Sequence, residues 1–162
     1  MERNDKFLKR DRLRFTRNSI SSTLAYVSIL FNVFYYVNLY NSDVGNYYYN
    51  ATTGYSIVYN LLFLLFAFLA SEGVKNYSNK FAFVLMGLGA LQIVRIFYLP
   101  LKAYQATIVI AGESVRVMEE KQFITIVVFL SISAVAAVVG GLVGLYKTAM
   151  LRSHEKSLAK NK

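Results

Sequence analysis

Four apolar runs, Ile20–Tyr40, Tyr55–Ala70, Phe81–Leu99 and Phe123–Tyr146, constrain this 162-residue chain more than anything else in it. Most come close to the roughly 20 residues that a helix needs to cross about 30 Å of hydrocarbon. The spacing predicts an all-α integral membrane protein: a four-transmembrane-helix antiparallel bundle with spans at about 20–40, 55–72, 81–99 and 122–146. A basic segment at 1–19 precedes the bundle and a basic tail at 147–162 follows it. Ile20–Tyr40 exceeds the core of about 7–15 residues expected of a signal peptide, and no A-x-A-like cleavage site follows it. It is read as the first span.

The formal charge of +9 invites a nucleic-acid reading, but the placement of the eighteen Lys and Arg residues removes the need for one. Seven lie before the first span (Arg3, Lys6, Lys9, Arg10, Arg12, Arg14, Arg17), two in the middle loop (Lys75, Lys80) and five in the tail (Lys147, Arg152, Lys156, Lys160, Lys162). Only Lys102, Arg116 and Lys121 fall on the other side, and Arg95 lies within a span. An excess of Lys and Arg marks the cytoplasmic side, so both termini are expected in the cytoplasm of a cell-membrane protein. Juxtamembrane cations are attracted to anionic lipid headgroups by about 1 kcal/mol each. Lipid is therefore the expected partner, and no nucleic acid is.

Catalytic chemistry finds little support. The chain has no Cys and one His, so thiolate nucleophiles, disulfides and Cys-based metal sites are excluded. No G-x-x-x-x-G-K-[ST] loop occurs, and MGLGAL at 86–91 is a glycine pair in a membrane helix, not a dinucleotide fingerprint. Neither a nucleophile with its base and orienter nor a pair of intramembrane carboxylates is present. The expectation is a non-enzymatic protein with no cofactor and no metal; lone His154 is assigned no role.

The connections carry turn chemistry. Phe7, Leu8, Leu13 and Phe15 among charges fit an interfacial helix before the first span, which Asn18 or Ser19 would cap. Tyr47–Tyr49 suit an interface belt, with a ligand-binding patch as the alternative, and Asn50-Ala-Thr52 fits a glycosylation pattern that matters only in a eukaryotic secretory route. The short loop SEGVKNYSNK makes the second and third spans neighbours. In the third loop, the β-branched runs Thr107–Ile110 and Ser114–Val117 flank Ala111-Gly112-Glu113 and signal a short extracellular β-hairpin; an amphipathic linker is the alternative. Pro100 is expected to stop the third helix near Leu99.

Helices in lipid associate through small side chains and interhelical hydrogen bonds. Candidate seams run Ser21, Ala25, Ser28, Asn32, Tyr35 in the first span and Ser56, Asn60, Phe63, Ala67, Ala70 in the second. The third offers Gly87, Gly89 and Gln92; the fourth offers Ser133, Ala137, Gly141 beside Ala136, Gly140, Gly144, the last two forming a GxxxG for internal packing or a dimer contact. The candidate intramembrane polar site is Asn32, Asn60, Gln92, Arg95 and Glu72. Arg95 lies five residues before Pro100, about 7 Å below the outer end of its helix, within reach of snorkelling. Turned inward it would meet Asn60 at similar depth, with Gln92 one turn away and Asp43 or Glu113 as countercharge. It is either a structural anchor or a substrate-binding cation. Glu72 is expected to pair with Lys75, three residues on.

The stretches RFTRN (14–18), FNVFYYVNLYNSDVG (31–45), SEGVKNY (71–77) and QIVRIFYLP (92–100) resemble a family of small, uncharacterised bacterial four-span membrane proteins. The resemblance implies the architecture and carries no activity. Small multidrug transporters match in size but place a glutamate at the membrane centre of their first span, where this chain has Asn32. The leading reading is an accessory or scaffold subunit of a larger membrane complex; the alternative is a small oligomeric transporter or channel using the polar residues of the bundle.

Overall fold

A computed structural model of the chain describes residues 17–40, 51–110 and 112–160. The expected interfacial N-terminal helix, Asp43, Tyr47–Tyr49 and Asn50 lie outside the described residues. The elements run α1 (Ser19–Tyr40), α2 (Ala51–Lys75), α3 (Asn79–Tyr98), α4 (Pro100–Gln105), β1 (Thr107–Ile110), β2 (Glu113–Arg116) and α5 (Glu120–Lys160). Four stretches are long and apolar enough to cross a membrane: Ser19–Leu39, Gly54–Lys75, Asn79–Gln105 and Glu120–Ser157. Their outward side chains are what a hydrocarbon solvent would select. Leu61, Leu62, Leu65, Phe66, Phe68 and Leu69 form an exposed apolar face along α2, and Phe83, Val94 and Phe97 do the same on α3. A water-soluble monomer rarely carries so large an uncovered apolar surface.

Local chemistry fixes the ends of these helices. Asn18 caps α1, its side-chain oxygen accepting from the Ser21 amide at 3.3 Å. The Asn18 amide in turn donates to the Lys75 carbonyl at 3.0 Å, which ties the start of α1 to the end of α2. That end closes as a Schellman turn: Ser78 N–H reaches Gly73 O, Tyr77 N–H reaches Val74 O, and Tyr77 occupies the left-handed position at φ 57°. Three residues later α3 is under way. It stops at Tyr98 because Pro100 has no N–H to offer the Ile96 carbonyl; Pro100 then serves as the first residue of α4, where a missing donor costs nothing.

The long helices form a four-membered ring. α5 packs along both α1 and α3, α2 bridges α1 and α3 on the opposite side, and α2 barely meets α5. Glycines let α5 approach closely. A Cβ on Gly141 would stand 2.7 Å from the Ala82 carbonyl of α3, and one on Gly89 of α3 would stand 2.9 Å from the Ala134 carbonyl of α5. Gly140 and Gly144 lie against Ser21 of α1 and against Leu85 and Ala82 of α3, and Ala136 is buried beside them in sequence. The GxxxG is thus used within the chain. Gly87 corrects the expected α3 seam: nothing lies within 4 Å of where its Cβ would be, because two residues on a helix with 3.6 per turn face nearly opposite ways. The predicted seams of α1 and α2 are buried at every position.

An apolar cluster lies at each end of the ring. At one end Tyr35, Leu39, Ala103, Met118, Ile126 and Leu130 form a cluster; at the other, Ala25, Ala70, Val74, Ala82, Leu85 and Ala137 form a second. β1 and β2 pair antiparallel from Thr107↔Arg116 to Ile110↔Glu113, so the second strand begins at Glu113, one residue before the β-branched run had placed it. Arg116 donates to the Tyr104 hydroxyl at 3.0 Å, and the Tyr104 ring stacks on Phe123 at 4.6 Å, seating the strands on the bundle. α5 does not end with its apolar run at Tyr146 but continues to Lys160.

Candidate functional site

The polar residues of the four-helix ring meet at one depth. Asn32 comes from α1, Asn60 from α2, Gln92 and Arg95 from α3 one turn apart, and Ser133 from α5. Each is placed by the step of three or four that keeps it on its helix's inner face. Arg95 Nη1 donates to Asn60 Oδ1 at 2.7 Å and lies 3.5 Å from Asn32 Oδ1. Gln92 Nε2 donates to Asn32 Oδ1 at 2.7 Å and reaches Ser133 Oγ at 3.5 Å. Ser133 donates to the Ser28 carbonyl at 2.8 Å, and the Asn60 amide nitrogen donates to its own helix at Ser56 O, 3.0 Å away. All four long helices are thereby cross-linked through side chains.

Arg95 is only 7% exposed, and among the described residues it makes no ion pair. Aromatic faces supply part of what water would. Its guanidinium carbon stands 4.4 Å from the ring centroid of Tyr35 on α1 and 4.5 Å from that of Tyr59 on α2. Each such contact is worth about 0.5–2 kcal/mol, the upper end when the pair is dehydrated. The side-chain oxygens of Asn60 and Asn32 add charge-assisted hydrogen bonding. The accounting is incomplete, however. Arg95 Nη2, Gln92 Oε1 and the Tyr59 hydroxyl are buried with no hydrogen-bond partner among the described residues. A buried polar group left unmatched costs about 1–3 kcal/mol, more if charged.

Beside this cluster a cavity of about 160 Å³ lies between α2 and α3, lined by Tyr55, Ser56, Tyr59, Val94, Arg95 and Tyr98 among others. Tyr55, Val94 and Tyr98 are more than half exposed, so the cavity gives onto the outer surface of the ring and not onto its axis. The Tyr55 and Tyr98 rings stand 6.4 Å apart, and Lys102 Nζ sits 4.6 Å above the Tyr98 ring. No protein family, no curated protein and no solved structure matches the chain.

The structure brings together Asn32, Asn60, Gln92 and Arg95 of the residues singled out from sequence. It does not bring in Glu72. That residue is twelve positions from Asn60, about 18 Å along α2 at 1.5 Å per residue. Its carboxylate accepts from Lys75 Nζ at 3.0 Å and from the Tyr26 hydroxyl at 3.1 Å. Glu113 is an exposed strand residue and supplies Arg95 with no countercharge. Sequence reasoning missed the two tyrosine rings. The available signal was depth: Tyr59 adjoins Asn60, and Tyr35 lies one turn beyond Asn32, so both rings sit at the level of the buried cation.

Proposed function

We propose that this is a non-enzymatic multi-pass protein of the cell membrane, an antiparallel up-down-up-down bundle with both termini in the cytoplasm. It acts as a binding or accessory subunit of a larger membrane assembly and not as a conduit. The observation that supports this is closure of the polar core along its axis. The Asn32–Asn60–Gln92–Arg95 cluster is stoppered by Tyr35, Leu39, Met118 and Ile126 at one end and by the close-packed Ala25, Ala82, Leu85 and Ala137 at the other. A solute path needs continuous polar lining, and an apolar cluster interrupts it on each side of the polar core. The sequence resemblance to small bacterial four-span membrane proteins agrees with the architecture and adds no activity.

The test is to tag the C-terminus, solubilise native membranes in mild detergent, and determine the mass and composition of the purified particle. A stoichiometric, larger membrane partner is the expected result. A homogeneous self-assembly that moves a solute across liposomes, with flux altered by Arg95→Ala in a bundle that stays folded, would replace this reading with an oligomeric transporter.

A further inference from the structure

We propose that the cavity at Arg95 is a binding site for the phosphate of an anionic lipid, entered sideways from the bilayer between α2 and α3. The inference rests on the membrane placement of the bundle and is independent of the accessory role. Three features of the cavity point to an anion. Its wall includes a cation that is more than nine-tenths buried, that has no ion pair among the described residues, and whose Nη2 has no hydrogen-bond partner. The Tyr59 hydroxyl, also buried and without a partner, and Ser56 stand on the facing helix, so donors converge from both sides. The guanidinium lies against the Tyr35 and Tyr59 rings, which restricts how the fork that a phosphate oxygen pair would meet can turn.

Three further features point to a lipid in place of a free ion. The opening is flanked by Leu91 and Val94, 49% and 63% exposed on the apolar outer surface of α3, where an acyl chain would lie. The volume of about 160 Å³ has room for a phosphate and the first atoms of glycerol and is too small for a folded peptide. Lys102, over the Tyr98 ring at the α4 end of the cavity, adds a second cation toward headgroup level. The lipid is therefore assigned to the leaflet on the α4 and hairpin side, away from the basic tail.

Native mass spectrometry of the purified full chain, titrated with phosphatidylglycerol or with phosphatidylcholine of the same acyl chains, tests this. The expected result is one phosphatidylglycerol retained with at least about tenfold preference, the preference being lost in Arg95→Gln. Because Arg95→Gln also removes a core bond, Val94→Trp provides the second variant: it fills the mouth from an exposed position, leaves the polar cluster intact, and should lose the lipid equally while helicity is unchanged. Retention of the preference in either variant overturns the proposal. So does displacement of phosphatidylglycerol by millimolar inorganic phosphate, which would make the site one for a free anion. Failure of the membrane placement is read separately, as protein that stays soluble without detergent.

Discussion

Around Arg95 the side chains behave as one unit, because the cation, two amide oxygens and two tyrosine faces each satisfy a need the others create. Lysine keeps the charge but has neither the planar fork nor the stacking surface. Arg95→Lys is therefore expected to destabilise the bundle by about 1–3 kcal/mol, a loss of the kind seen when charged hydrogen bonds are broken in place; equal thermal midpoints by circular dichroism in detergent would refute these contacts. Two glycines of α3 give a sharper contrast. Gly89→Ala pushes a methyl into the Ala134 carbonyl of α5 and should cost about 1–3 kcal/mol as overpacking, whereas Gly87→Ala meets open space and should be neutral or slightly stabilising. The same unfolding measurement decides both. At this scale the sequence showed the polar partners, since counting residues from Pro100 and along the second span puts Arg95 and Asn60 at one depth. It did not show that the cation would lie against two aromatic rings and not against Glu113. Depth is legible in a linear pattern, but azimuth depends on how neighbouring helices rotate.

Among the elements, hydropathy located what lipid demands and was blind to what water permits. The apolar run of the fourth span ends near Tyr146, yet TAMLRSHEKSLAK continues as helix to Lys160 because its Ala, Leu, Lys, Glu and Arg residues are good helix formers with no Gly or Pro to stop them. Pro100 was legible as a stop, although its second use as the first residue of α4 depends on the chain turning helical again at once. The paired strands depend on Gly112. Its φ of 88° is reached freely by glycine and costs an L-residue roughly 1–2 kcal/mol. β2 is exposed along its length and Val109 of β1 is 75% exposed, so little packing at these positions is available to offset that strain. Gly112→Ala should speed hydrogen exchange at the amides of Thr107–Ile110 and Glu113–Arg116 while α1, α2, α3 and α5 keep their protection. Loss of protection throughout the bundle would mean that the strands brace the helices and do not merely sit on them.

The whole molecule has two unlike ends, and the proposed orientation rests on the difference. At one end α4, the paired strands and Arg116 pack over Tyr104 and Phe123; at the other lie the turn after α2 with Lys75 and Lys80, the start of α1 with Arg17, and the Lys147-to-Lys160 stretch of α5. The Asn18-to-Lys75 hydrogen bond places the beginning of α1 beside the end of α2, so Arg17 and Lys75 share a side. Lys and Arg are retained on the cytoplasmic face during insertion, so the proposed orientation has the strands outside. The chain contains no cysteine, so a single engineered one reports its own location without background. Ser114→Cys in β2 should react with a membrane-impermeant maleimide in intact cells. Asn76→Cys, in the turn between α2 and α3, and Ser157→Cys, near the end of α5, should react only after permeabilisation. All three sites are exposed or half-exposed to solvent and none belongs to the polar cluster, so labelling reads topology and not folding. The reverse pattern would place the Arg95 cavity in the cytoplasmic leaflet and the basic segments on the outer face. Labelling of Ser114→Cys and Ser157→Cys from the same side would mean that α5 does not cross, and a four-span bundle would no longer describe the protein.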